Sequence, residues 1–224
     1  MPKSSRAVRD LARKRMQLVD MRTANILSIE TCMAQQPGSY LTCREIKLLT
    51  EMDIDSMPVG PVEASGMKAN LAIIRALQAQ IDLIEKSLSN YCRSAPGYRL
   101  LSTVSGIGPI LATVILLETG DIARFSGAGN YASYCRCVGS THISNGKKKG
   151  EGNTKNDNHI LAWAYVEAAN FSIRFCEPAR KFYRRKKATH NGVVALKAVA
   201  YKLARACFHM LKTEEQFSVE RCFS

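Results

Sequence analysis

The residues best suited to chemistry lie in one polar stretch between Arg136 and Asn158. It contains Ser144, Asn145, Gly146, Lys147, Lys148, Lys149, Gly150, Gly152, Asn153, Thr154 and Lys155. Lysines beside flexible glycine backbone make a phosphate cradle, because ammonium groups and free N–H groups both face an anion. A serine in such a place can attack a phosphodiester if a base or metal activates it and cations stabilise the pentacovalent state. The G-x-x-x-x-G-K-[ST] spacing of a P-loop is absent, so this is not a nucleotide-triphosphate cradle. The stretch is too long for a turn, and long segments of this kind inside a compact domain are functional or disordered. The competing reading is a solvated basic loop in which Ser144 is a bystander.

Two further motifs point to the same chemistry. Ser105-Gly106-Ile107-Gly108-Pro109 lies between two apolar helical stretches. Gly106 and Gly108 permit a tight backbone path, and Pro109 suits the first turn of a helix whose free N–H groups can accept a phosphate. The pattern is that of a helix-hairpin-helix, a binder of DNA backbone; an ordinary packed hairpin is the alternative. In Arg180-Lys181-Phe182-Tyr183-Arg184-Arg185-Lys186-Lys187, aromatics interleave with charge. That fits phosphate binding by counterion release, or a charged helix end that suits the helix dipole. The candidate nucleic-acid contacts are therefore Gly106, Gly108, Arg136, Lys147, Lys148, Lys149, Lys155, Arg184, Arg185, Lys186 and Lys187. Cys135 and Cys137 with His142 and His159 imitate a zinc set, but their spacing is unlike the usual structural sites, and no metal site is assigned.

The elements that must position these residues read as helices. Residues 6 to 34 form a basic helix whose seam of Val8, Leu11, Leu18 and Ile29 is interrupted by Arg15, Arg22 and Asn25; Pro37-Gly38-Ser39 ends it. Thr42-Cys43-Arg44-Glu45 has the form of a capping box and starts a short helix. Asp53 and Asp55 read as turn residues beside a connector marked by Pro58, Gly60, Pro61 and Gly66. From 67 to 90, Ile74, Leu77, Ile81, Ile84 and Leu88 follow a strict a/d pattern over about three heptads. This is a helical hairpin or coiled-coil arm, and a candidate for self-association. Ala95-Pro96-Gly97 breaks it. Beyond lies a compact helical domain in which Asp121 orders a turn anchored by Phe125. Leu161, Ala164, Ala168, Phe171 and Phe175 line one helix face there, and Val193, Leu196, Ala200, Leu203, Cys207 and Met210 another. The expected fold is all-α or mostly α. A helical coiled-coil arm spans 1–94, and a helical domain with the hairpin and the basic Gly-rich loop spans 95–224.

Composition sets the outer limits. Among 224 residues, 32 Lys and Arg face 19 Asp and Glu, a net charge of +13 that favours a polyanionic partner. No window reaches the roughly 18 apolar residues that span a bilayer. Arg13, Lys14 and Arg15 stand where a signal peptide needs its apolar stretch, so no membrane partner and a cytoplasmic location are expected. The eight cysteines are scattered without a C-x-x-C pair, which reads as reduced thiols, several of them in cores.

Taken in order, these motifs resemble the transposases of the insertion sequence one-hundred-and-ten family. The matching elements are Ser105-Gly106-Ile107-Gly108, then residues 118 to 125 (E-x-G-D-I-x-R-F), then Ala132-Ser133-Tyr134, residues 144 to 155, Lys181-Phe182-Tyr183 and residues 200 to 204. The match covers roughly 95 to 212, and 6 to 90 resemble the arm that precedes this domain. The resemblance implies a two-part enzyme. An N-terminal RNase-H-like domain holds magnesium with four acidic residues, D-E-D-D. The C-terminal domain supplies a serine that forms a transient 5′-phosphoserine link to DNA, and a guide RNA selects the sites. Carried over by position, the serine is Ser144, with Lys147, Lys148, Lys149 and Lys155 as phosphate or RNA contacts and 67–90 as a homo-oligomerisation arm. No strand-rich segment opening on an aspartate precedes the arm, so the chain reads as a C-terminal part that binds no cofactor itself. It would associate with the nucleoid when on DNA. The alternative is a catalytically inactive nucleic-acid-binding fragment or regulator derived from a transposon; a purely structural coiled-coil protein is a third reading.

Overall fold

The computed structural model describes residues 3–36, 40–138, 141–145, 147–151 and 158–224. The fold is mostly α, as the periodicities require. The described chain divides into two units, residues 10–88 and residues 89–224 joined by 1–9.

The first unit is built on two long helices, α1 (Lys3–Ala34) and α4 (Pro61–Cys92), with α2 (Cys43–Leu48) and α3 (Glu51–Asp55) between them in sequence. The a/d seam of α4 is buried inside the chain. Leu77 and Ile81 pack on Leu18 of α1, with Val19 and Ile84 beside them. Met67, Leu71 and Ile74 join Ile26, Ile29, Met33, Ile46, Leu49 and Ile54 in a second cluster. The polar interruptions of the α1 seam have partners on α4. Arg15 sends Nε and Nη2 to Glu85 Oε1 at 2.9 and 2.7 Å, and Arg22 donates to Gln78 Oε1. Asn25 instead turns back on its own helix, donating to Met21 O at 2.8 Å. These pairs fix the register of one helix against the other, a role in which polar seam residues are best attested.

Both short helices begin with reciprocal capping boxes. Thr42 and Glu45 form the expected one. Thr50 and Asp53 form a second, so Asp53 is a helix-capping residue and not a turn residue. Asp55 ends the same helix and pairs with Lys68 at 2.6 Å. Hydrogen bonds from the two threonines lower the carboxyl pKa of both Glu45 and Asp53.

The second unit is layered around α8 (His159–Phe175) and α10 (Gly192–Thr213). Ala164, Ala168 and Ala169 of α8 and Ala195, Ala200 and Ala204 of α10 are all fully buried; small residues at such positions let helix backbones approach closely. Around this pair stand α5 (Pro96–Leu101), α6 (Pro109–Thr119), α7 (Ala128–Tyr134), α9 (Glu177–Lys187) and α11 (Val219–Phe223). Nearly the whole of α6 is buried. A hydroxyl chain runs through the core from Thr119 Oγ1 to Tyr131 Oη (2.7 Å) and on to Tyr165 Oη (2.8 Å). It satisfies groups that burial would otherwise make costly.

Asp121 Oδ1 accepts from Ala123 N at 2.8 Å and caps a short 3-10 turn that ends at the buried Phe125. Two residues of the apolar face of α8 are exposed: Phe171 is 39% exposed and Phe175 74%. The buried stripe runs through Leu161, Ala164, Tyr165, Ala168, Ala169 and Ser172. Phe171 lies at the edge of that stripe, and Phe175 is the last helical residue. Val193, in the first turn of α10, is likewise 67% exposed.

Candidate nucleic-acid interface

The basic stretch after α7 carries a β-hairpin where the sequence predicts a loop. Strand β1 (Thr141–Ser144) pairs antiparallel with β2 (Lys147–Glu151). Ser144 is the last residue of β1 and stands directly opposite Lys147. Only Asn145 and Gly146 separate them, and Asn145 has φ 52, the left-handed conformation that a type I′ hairpin turn requires. A register shift falls between His142 and Ile143, leaving Lys149 as the extra residue of β2. Lys155, with Gly146, Gly152, Asn153 and Thr154, lies outside the described residues.

The base of this segment is tied down by backbone hydrogen bonds to α7 and by the Asn158 side chain. Asn158 N donates to Tyr134 O at 3.0 Å, and Cys137 N to Ala132 O at 3.0 Å. Asn158 is also the N-cap of α8, its Oδ1 accepting from Ile160 N and Leu161 N, both at 3.0 Å. Its Nδ2 donates to Glu118 Oε2 at 2.7 Å, and both residues are buried. Asparagine directly before an apolar helical run was the available signal. Arg136 leaves the end of α7 with φ 54, its N–H donating to Ser133 O at 2.8 Å. Arg124 lies over the rings of Phe125 (4.4 Å) and Tyr134 (4.7 Å).

The Gly-Ile-Gly hairpin lies between α5 and α6, and its two glycines do different work. Gly106 has φ 103, and a Cβ there would stand 2.5 Å from Ala168 O and Ser172 Oγ. Ser105 O accepts a hydrogen bond from Ser172 Oγ, and Ile107 is buried. Gly106 is therefore a packing glycine that seats the hairpin on α8. Gly108 is exposed, has ordinary φ −77, and has open space where a Cβ would be. It precedes Pro109 as the N-cap of α6, with no side chain capping the helix start. The N–H groups there are the ones such helix starts turn to phosphate.

Arg184, Arg185, Lys186 and Lys187 form the end of α9, and all but the half-buried Lys186 are exposed. Phe182 is the buried anchor of this helix. Arg185 lies over its ring at 5.5 Å and Lys202 at 5.1 Å. The helix thus holds an apolar side inward and a cationic side toward water.

The charge of the chain is strongly partitioned. Residues 10–88 carry 9 Lys and Arg against 10 Asp and Glu, a net charge of −1. Residues 1–9 and 89–224 carry 23 against 9, a net charge of +14. The whole cationic excess therefore belongs to the unit that holds the hairpins and α9.

Among the described residues, no three His, Cys, Asp or Glu come together to hold a metal. Glu118, the buried carboxylate of the motif at 118–125, is a partner of Asn158. The cysteines are all free, with six of them buried. Burial pushes Cys137, Cys207 and Cys222 up to about 12, which suppresses the thiolate needed for redox chemistry. Among the described residues, no helix is long and apolar enough to cross a membrane.

Within the unit that carries these features, residues 98–184 are similar to the family described as Transposase IS116/IS110/IS902 family. Over 176 residues, 76% of its length, the chain is 24% identical to a protein of Pseudomonas aeruginosa named "Probable family 20 transposase". The chain spans 52% of that relative's length.

Proposed function

We propose that this chain is the DNA-handling half of a transposase, and that Ser144 is its nucleophile. The observation that carries the reading is the position of Ser144 at the tip of a short β-hairpin, opposite Lys147 across an Asn-Gly turn. A two-residue turn holds its flanking residues in one register, so serine and lysine backbones have a fixed separation. Lys147, the cross-strand partner of Ser144, supplies cationic charge where phosphate charge develops. In the reaction, Ser144 Oγ forms a bond to the phosphorus, and its proton passes to a base. The bond from phosphorus to the 3′-oxygen of the neighbouring nucleotide breaks, and that oxygen leaves as a 3′-hydroxyl once protonated. The product is a 5′-phosphoserine. Metal-holding carboxylates, if the reaction uses them, come from an RNase-H-like partner domain and not from the described residues.

DNA backbone binding falls to the Gly108–Pro109 helix start, to Arg184, Arg185, Lys186 and Lys187, and to Arg136, Lys147, Lys148 and Lys149. The charge partition supports this. A guide RNA bound to the same cationic unit belongs to the same proposal. Self-association through 67–90 would have to use the outward side of α4, because its a/d seam is occupied by α1.

The expected outcome of Ser144→Ala, assayed with the RNase-H-like half added in trans, is loss of the covalent protein–DNA adduct on a denaturing gel. DNA affinity should stay within about twofold of the parent, because phosphate contacts set affinity. An adduct that survives the change would remove the serine assignment. Strongly salt-dependent binding with no adduct under any condition would favour the second reading, a binding module without activity.

A further inference from the structure

The exposed phenylalanines of α8 are unexplained by either backbone binding or serine chemistry. Phe171 and Phe175 are one helical turn apart, with rings near parallel at 10° and centroids 6.4 Å apart. They line an open groove of about 430 Å³ together with Gly106, Gly108, Pro109 and Ile110. The groove is predominantly apolar, and the guanidinium of Arg174 lies 6.0 Å from the Phe171 ring centroid. Arg174 is exposed; Arg180 Nη2 donates to its carbonyl at 2.6 Å, tying this helix end to α9.

We infer that this groove is a stacking site for unpaired nucleobases, taken from a strand whose backbone runs over the neighbouring Gly-Ile-Gly hairpin. The inference rests on the reading of this unit as a nucleic-acid binder. Three observations select the occupant. The rings are aromatic and parallel, so each can present a face to a base, and base–aromatic stacking tolerates any sequence. The unit carries a net charge of +14, which complements a phosphate strand and opposes a second copy of the same unit. Finally, the groove is bordered by the hairpin residues proposed to meet backbone, so phosphates and bases of one strand have adjoining surfaces. A duplex offers no base faces along its length. The groove therefore adds affinity only where bases are unstacked, as at a strand end, a bulge or a melted junction.

The test is binding of the full chain to fluorescein-labelled 12-mers by anisotropy, at fixed salt, with single-stranded DNA, single-stranded RNA and blunt duplex DNA as separate arms. Phe171→Ala/Phe175→Ala should weaken single-strand binding on the order of tenfold, while duplex binding changes less than twofold. Phe175→Tyr should preserve both. Phe175→Leu keeps an apolar surface without a ring face, and should lose single-strand affinity as the alanine does. A 2-aminopurine in the strand should be quenched by the parent protein and not by the double variant. Circular dichroism shows whether each variant is folded, and the exposed Phe175 substitutions stand on their own if the double variant is not. The DNA and RNA arms identify which strand is preferred.

Equal loss in the single-strand and duplex arms would overturn the stacking site while leaving the backbone-binding reading intact. Full binding by Phe175→Leu would overturn it in favour of a plain apolar contact. A dimer of the parent protein that Phe175→Ala converts to monomer, with single-strand affinity unchanged, would reassign the groove to a second copy. If the parent binds none of the three oligonucleotides, both this inference and the reading beneath it fall.

Discussion

At the scale of single residues, Gly106 and Gly108 differ in what surrounds them. They share a motif, yet only Gly106 has a left-handed backbone and backbone atoms of α8 where a side chain would go. Gly106→Ala forces a non-glycine residue to φ 103 and overpacks a backbone contact. Together these cost about 2–4 kcal/mol, a Tm drop of roughly 5–10 °C for a chain of this size. Gly108→Ala meets open space, so its thermal unfolding should match the parent while DNA affinity falls if a backbone approaches there. Paired melting and binding curves check both. A Gly108 variant that melts early would mean the hairpin needs both glycines for folding. The sequence could not distinguish these roles, because nothing in Gly-Ile-Gly says which residue faces the neighbouring helix. The exposure of Phe171 and Phe175 is hidden from the sequence for a related reason. Helical spacing puts them near the apolar face, but whether another element covers that part of the face depends on packing at a distance in the chain.

At the scale of elements, the Asn158 anchor joins three pieces: the end of α7, the end of α6 and the start of α8. Asn158→Ala removes the cap of α8 and the hydrogen bond that Glu118 receives from Nδ2. The expected loss is about 2–3 kcal/mol from cap and charged hydrogen bond together. Asn158→Asp keeps the capping oxygen but sets a second carboxylate against Glu118, so it should be no better than alanine at neutral pH. Chemical denaturation of the three proteins measures this, and an aspartate variant as stable as the parent would dissolve the anchor argument. If the anchor also holds the Ser144 hairpin, adduct formation should fall further than stability does. Much at this scale was legible in the sequence. The long helices, the Thr42 capping box and the Asp121 turn follow from local chemistry. The β-hairpin was not, because three lysines and a glycine on one side hide the period-2 signal that the Asn-Gly turn should have prompted. The partner of the a/d seam was also open, since such a seam fits a second chain as well as α1.

At the scale of the whole molecule, the charge partition is the feature that composition conceals. A net charge of +13 read over the full sequence suggests a uniformly basic protein, and α1 begins with several cations. The two units instead carry −1 and +14. On the proposed duplex binding, counterion release should make affinity fall steeply with salt, by about 0.9 in log–log slope for each phosphate neutralised. Cations of the basic unit should contribute to that slope, and cations of the arm should not. Arg184→Ala and Lys187→Ala are exposed changes at the end of α9, and each should lower the slope by about 1 with little effect on melting. Arg44→Ala and Lys47→Ala are equally exposed but lie on α2 in the near-neutral unit, and should leave the slope unchanged. Anisotropy titrations from 50 to 300 mM salt separate the two sets. Equal slope losses from both would mean that the arm lies on the DNA as well, and that net charge is a poor guide to where this protein meets it. A slope confined to the basic unit would place the proposed DNA contacts there and leave the arm outside them.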